Sequence, residues 1–148
     1  MNHDNFAFEI AETALALRRA FDGRAARLGV TRAQWRVLGR LNKSPGLKQV
    51  ELAEWLDVEP ITLCRQIDRL EEAGLVVRAR DPDDRRAWRL QLTPAARPII
   101  DRLKEVAAEF AGEAFGGIDP ADEARIRASL ERIRQNCAAT ALGNRASA

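Results

Sequence analysis

The chain has 148 residues, 46% hydrophobic and 31% charged, which suits one globular domain with a modest core and is too balanced for a disordered chain. No apolar run approaches the roughly 18 residues of a membrane span, and the opening MNHDNFAFEIAETALALRR lacks a basic leader followed by an apolar stretch, so cytoplasm is the expected location. With two distant cysteines, Cys64 and Cys137, one histidine, His3, and no phosphate-loop or nucleophile-elbow motif, neither a metal nor a cofactor nor an enzyme is expected.

Residues 5–28 place Ile10, Ala14, Leu17, Phe21 and Leu28 at helical spacing, predicting a helix with one apolar stripe. VTRAQW then opens a second helix: Thr31 caps, Gln34 completes a capping box, and Val30 staples against Trp35. That helix turns Trp35, Leu38 and Leu41 inward and stops at Ser44-Pro45-Gly46. A short third helix, KQVELAEWL, sets Val50, Ala53 and Leu56 on one side. Pro60 starts a fourth helix whose core line is Leu63, Ile67 and Leu70, with Gly74 closing it. A short helix, a tight turn and a longer helix make a helix-turn-helix.

LVVRAR and AWRLQL alternate apolar and polar residues around DPDDRR, predicting a two-stranded hairpin. Thr93-Pro94 begins a long helix to about residue 115 with Ile99, Leu103, Val106 and Phe110 in one stripe. Asp119 caps the last helix, with Asp122 in the N3 place of a capping box, and Ile126, Leu130, Ile133 and Cys137 follow. The expected architecture is mainly α with a small β-hairpin, a winged helix-turn-helix over residues 31–93. An N-terminal dimerisation helix (1–30) and C-terminal dimerisation helices (94–142) flank it, with a frayed tail over 143–148. The terminal stripes are longer than the small middle can cover, so a homodimer is expected; the other reading is that they fold back on their own chain.

Net charge is only +2. All of the excess lies in residues 31–93, which hold 12 basic and 10 acidic groups. The meaning therefore rests on where particular arginines sit. On the fourth helix the face opposite the core displays Ile61, Thr62, Arg65, Gln66 and Arg69. Arginine pairs with guanine, glutamine with adenine, and threonine or isoleucine touches a thymine methyl. Thr62, Arg65 and Gln66 are the expected base readers and Arg69 a phosphate contact. An arginine-decorated solvated face is the plainer alternative.

Ser44, Lys48 and Gln49 surround the start of the third helix, where unpaired N–H groups favour phosphate. Asp68 would repel DNA if unpaired, so a tie to a nearby arginine is expected, with the hairpin as a candidate source. On the hairpin tip, Arg86 is assigned to the minor groove, whose negative potential attracts arginine. Arg85 is assigned to holding the tip through Asp81, Asp83 or Asp84. A solvated turn is again the plainer alternative.

ELAEWLDVEPITLCRQIDRLEEAGLVVR and DPDDRRAWRLQLT together resemble the MarR family of winged-helix transcription regulators over nearly the whole chain. The resemblance implies a homodimer joined through its terminal helices, binding a pseudo-palindromic double-stranded DNA operator, usually as a repressor. Arg86 corresponds to the minor-groove arginine and Arg65 to a reader on the recognition helix. Lys48 and Glu59 stand where members often carry hydroxyl caps. The precedent also implies a small-molecule effector, aromatic or anionic, such as an aromatic carboxylate or its coenzyme A thioester. Its crevice would be lined by Phe6, Leu17, Phe21, Trp35 and Phe110 with Arg18 or Arg36 as the anion partner. Effector binding would favour a spacing of the recognition helices that mismatches the operator. Two alternatives stand beside this: a protein-interaction module without an operator, and a redox-sensing regulator using Cys64.

Overall fold

The computed structural model describes the backbone of residues 3–146 and the side chains of residues 5–140. In order they form α1 (His3–Arg27), α2 (Arg32–Lys43), α3 (Gln49–Leu56), α4 (Pro60–Glu72), β1 (Val76–Arg80), β2 (Trp88–Leu92), α5 (Arg97–Ala114) and α6 (Pro120–Ala146). The chain divides into two compact units, one running through Phe110 and one beginning at Ala111.

The helix starts and stops follow local chemistry. At α2, Thr31 Oγ1 accepts from the Gln34 N–H and Gln34 Oε1 accepts from the Thr31 N–H, the complete capping box. Val30 is buried with Trp35 packed on its cluster. At α3 and α4 no cap side chain bonds the helix, and Lys48 instead gives its N–H to Glu51 Oε2 at 2.9 Å. Gly74, at φ 72°, lets the chain leave α4 in the left-handed conformation that favours glycine. Asp57 takes the same kind of conformation, φ 52°, between α3 and α4. Its N–H bonds back to the Ala53 and Glu54 carbonyls. An aspartate tolerates this geometry better than most side chains.

Three local expectations are corrected. Val50 is 58% exposed, and the buried stripe of α3 is Leu52, Ala53 and Leu56, one step round the helix. Residues 94–96 form a 3-10 turn before α5, because Pro98 has no N–H and clashes with any earlier α-helical turn. Thr93 does not cap it: its hydroxyl donates to the Gly74 carbonyl and fastens the end of β2 to the end of α4. The last helix continues to Ala146, past the stop expected at residue 142, since a single Gly143 costs only about 1 kcal/mol without a proline behind it. Residues 147 and 148 of the expected tail lie outside the described residues.

The sheet is antiparallel, in the register Val76↔Leu92, Arg78↔Leu90, Arg80↔Trp88. Residues 46–48 run along the other side of β2. Gly46 N–H donates to the Leu90 carbonyl, Leu90 N–H to the Leu47 carbonyl, and Lys48 and Arg89 form a bridge. Val37, Leu38, Leu41, Leu52, Leu56, Leu63, Ile67, Leu70, Val76 and Leu90 make one continuous core, which Ala96 and Ile100 complete from the chain after the hairpin. Such a site as Leu63, with no exposed surface, would lose about 2–5 kcal/mol on truncation to alanine. A second cluster joins Ala25, Val30 and Leu103, with Phe21, Leu28, Trp35 and Ile99 against it.

The terminal helices keep much of their apolar surface uncovered in the single chain. Phe6 and Phe8 on α1 are exposed, Phe8 by 70%. In the second unit Phe115, Ile118 and Ile126 are exposed. There Asp119 Oδ1 accepts from the Ala121 N–H at the start of α6, and Arg125, Arg127 and Arg134 pair with carboxylates one turn back. Arg134 holds the Glu131 carboxyl below its usual range. Among the described residues no helix is long and apolar enough to cross a membrane, and no cluster of His, Cys, Asp or Glu is arranged to hold a metal ion.

Candidate nucleic-acid interface and the adjoining cavity

With Leu63, Ile67 and Leu70 fixed in the core, α4 leaves Ile61, Thr62, Arg65 and Arg69 exposed and Gln66 half-buried. Among the described residues, the guanidinium groups of Arg65 and Arg69 meet no carboxylate. Guanidinium groups without a prior ion pair suit an electronegative groove, since no pair has to be broken first.

One guanidinium locks this helix to the wing. Arg78, on β1, is 13% exposed at its side chain. Its Nη2 donates to Asp68 Oδ1 at 2.7 Å and to the Cys64 carbonyl at 3.2 Å, and its Nη1 donates to Glu71. Its Nε donates to Gln49 Oε1 at 3.0 Å, so α3 is tied in as well. Burial pulls the Arg78 pKa down, but the hydrogen bonds to Asp68 and Glu71 outweigh it and leave it raised. The expected tie between Asp68 and a hairpin arginine is therefore present. Gln49, expected to contact phosphate, spends its side-chain oxygen on Arg78. Cys64 is half-buried, with its Sγ 3.8 Å from Arg78 Nη2.

The wing tip is organised by Asp81, a carboxylate only 2% exposed. Its Oδ1 accepts from the N–H groups of Asp83 at 2.8 Å and Asp84 at 3.1 Å. Its Oδ2 lies 2.7 Å from Arg89 Nε and 3.7 Å from Lys48 Nζ. The Asp83 N–H above all, then the Asp84 N–H and the charges of Arg89 and Lys48, hold the Asp81 carboxyl below its usual pKa against the opposing effect of burial. Asp84 Oδ1 accepts the Arg86 N–H at 3.0 Å.

This corrects the role given to Arg85. Among the described residues its guanidinium pairs with none of Asp81, Asp83 or Asp84. Only its carbonyl takes part, accepting from Arg80 Nη1 at 2.8 Å, while Arg80 lies 3.9 Å over the Trp88 ring. The partners of Asp81 come instead from β2 and from the start of α3. Lys48 is distant in sequence and Arg89 stands just past the tip on β2, so the closer Arg85 misled. Lys48, expected at phosphate, belongs to this frame. Ser44 ends α2, giving its N–H to the Arg40 carbonyl. Arg86 is exposed, with its backbone fixed and its guanidinium meeting no carboxylate among the described residues.

A cavity of about 510 Å³ opens beside this lobe. Of the residues expected to line it, Arg18, Phe21, Trp35 and Arg36 do so. Phe6 and Leu17 do not, and Phe110 stands behind the wall, its ring 5.9 Å from Phe21 with Arg24 4.9 Å over it. α1 turns only part of its stripe toward the lobe, which is why Phe6 and Leu17 fall away from the wall. Arg40, Lys43, Trp55 and Lys104 also line it, and no sequence signal pointed to them. Arg40 lies 4.4 Å over Trp55, from a different helix. Trp35 Nε1 donates to Asp22 Oδ1 at 2.8 Å, fixing the indole edge-on to Phe21.

A helix-turn-helix followed by a basic wing, with arginines on the outer face of its second helix, defines a winged helix. The MarR family model matches residues 28–87. A solved transcriptional regulator, PA3341, is 37% identical over 89% of this chain and 97% of its own, with a TM-score of 0.82. A MarR-family regulator from Silicibacter pomeroyi is 30% identical over 88% of each chain, with a TM-score of 0.77. A MarR mutant from E. coli, solved in complex with operator DNA, shares the fold at 23% identity, covering 87% of this chain and 93% of its own with a TM-score of 0.74. The chain belongs to the MarR family of transcription regulators.

Proposed function

We propose that this regulator is a homodimeric repressor that binds a pseudo-palindromic operator. In this reading α4 enters the major groove, with Thr62, Arg65 and Gln66 at base edges and Arg69 on phosphate. The wing enters the adjacent minor groove through Arg86. Ser44, Lys48 and Gln49 flank the phosphate backbone at the start of α3, Lys48 and Gln49 chiefly by holding the wing. The observation that carries the reading is the combination of exposed arginines on α4, which meet no carboxylate among the described residues, with an Arg86 whose backbone Asp84 and Asp81 fix in place. Self-association is supported by the bare apolar surface of α1 and of the second unit. It would set two copies of α4 about one helical turn, ~34 Å, apart.

The effector in this reading is a small aromatic anion, such as an aromatic carboxylate or its coenzyme A thioester, seated in the cavity between Trp35, Phe21 and Trp55. The cavity carries five cationic side chains and no carboxylate. Selection of bound fragments from genomic DNA, followed by footprinting, tests the function. A two-fold site with steep salt dependence is the expected result. Enrichment of no sequence would instead favour docking on a partner protein.

A further inference from the structure

Arg36 lines the cavity and also bonds the backbone of the helix-turn-helix. It stands on α2, and its Nη2 donates to the Leu56 carbonyl at 2.7 Å. Leu56 is the last residue of α3, so this carbonyl is among the helix-end acceptors left without an intrahelical partner. Next in the chain is Asp57 in its left-handed conformation, and α4 begins at Pro60. The turn that sets the angle between α3 and α4 is thus capped from inside the cavity.

We propose that Arg36 couples the cavity to DNA binding: an aromatic anion in the cavity draws its guanidinium from the Leu56 carbonyl, uncapping α3 and loosening the turn that aims α4. This rests on the effector reading of the cavity. A carboxylate is a stronger acceptor for guanidinium than a neutral carbonyl, so the exchange runs toward the ligand. The surroundings push the same way. Burial first, then the charges of Arg18 and Arg32, lower the Arg36 pKa, and only Asp22 and Asp57 oppose them. An anion offsets the positive charge that Arg18 and Arg32 add around Arg36. Loss of the cap costs the operator-bound arrangement, and differential affinity for the two arrangements is what lets a ligand shift their balance.

The test uses the full-length protein and 2-naphthoate, an aromatic carboxylate. Calorimetry measures binding, and hydrogen exchange follows the Asp57 and Val58 amides, which bond back to α3 carbonyls. Saturating 2-naphthoate is expected to speed exchange at both amides several-fold in the unmodified protein. In Arg36→Met those amides should already exchange fast and no longer respond, while 2-naphthoate still binds, weaker by roughly tenfold. Binding with unchanged turn exchange in the unmodified protein overturns the coupling and leaves the cavity as an effector site. A full response in Arg36→Met overturns it too. Absence of any 2-naphthoate binding removes the aromatic-anion reading of the cavity, and the coupling with it.

Discussion

Arg78 and Asp68 meet at 2.7 Å across the gap between the wing strand and the recognition helix. Their contact is the centre of a cluster that also takes in Glu71, Gln49 and the Cys64 carbonyl. Two of its partners, Asp68 and Glu71, are more than a third exposed, so water screens part of the attraction. Arg78→Met is expected to cost ~1–2 kcal/mol in urea unfolding and to weaken operator binding by freeing the wing from α4. Arg78→Lys should not restore it, because an ammonium cannot reproduce the planar fork. An unfolding midpoint unmoved in Arg78→Met would show that the cluster is decoration.

Arg86→Ala should weaken specific operator binding by ~1–3 kcal/mol while leaving stability unchanged, since its exposed guanidinium pairs with no carboxylate among the described residues. Fluorescence anisotropy at matched salt measures it. The same substitution at Arg85 should cost far less, and equal losses at the two positions would mean that the tip acts only as diffuse positive charge.

Arg65→Ala should cost ~1–3 kcal/mol and relax base preference at one position in each half-site. Binding to a library of operator variants reads this directly. Uniform loss over all variants would reassign Arg65 from a base to a phosphate.

The Asp81 carboxyl is held below its ordinary pKa, so its folded value is lower than its unfolded one. The sign follows: its contribution to wing stability is fully present above the ordinary carboxylate value of ~3.9 and is lost as pH falls through the lowered folded value. The amide resonances of Asp83 and Asp84 should therefore hold steady from about pH 6 to about pH 4 and shift together only below that. Asp81→Asn should remove this acid transition; a transition of the same shape in that variant would assign it to another group.

Periodicity and punctuation made most of the fold legible. Thr31 and Gln34, Pro60, Gly74 and the alternation on either side of DPDDRR each act through near neighbours, and such chemistry can be read along the chain. The arginine face of α4 was readable for the same reason, once Leu63, Ile67 and Leu70 fixed the inner side. Asp81 was harder: Lys48 comes from a segment more than thirty residues away, and Arg89, though close by, competes in the sequence with the nearer Arg85 and Arg86. The cavity was legible at Arg18, Phe21, Trp35 and Arg36 and dark at Arg40, Trp55 and Lys104. Those positions look like ordinary charged or half-exposed helix residues until tertiary packing sets them around one space. Val50 failed because α3 is only eight residues long, too short for its stripe to be phased within one step.

The strand pairing of residues 46–48 has a consequence for how the protein behaves when crowded on DNA. A two-stranded ribbon ordinarily presents bare amide and carbonyl rows on both outer margins, which invite a stray strand to add on. Here one margin is taken by Gly46, Leu47 and Lys48, and on the other Glu71 Oε1 accepts the Arg78 N–H at 3.1 Å. The wing thus has one margin occupied by its own loop and the other blunted at Arg78 by its own helix, which disfavours edge-to-edge addition between copies gathered at neighbouring sites.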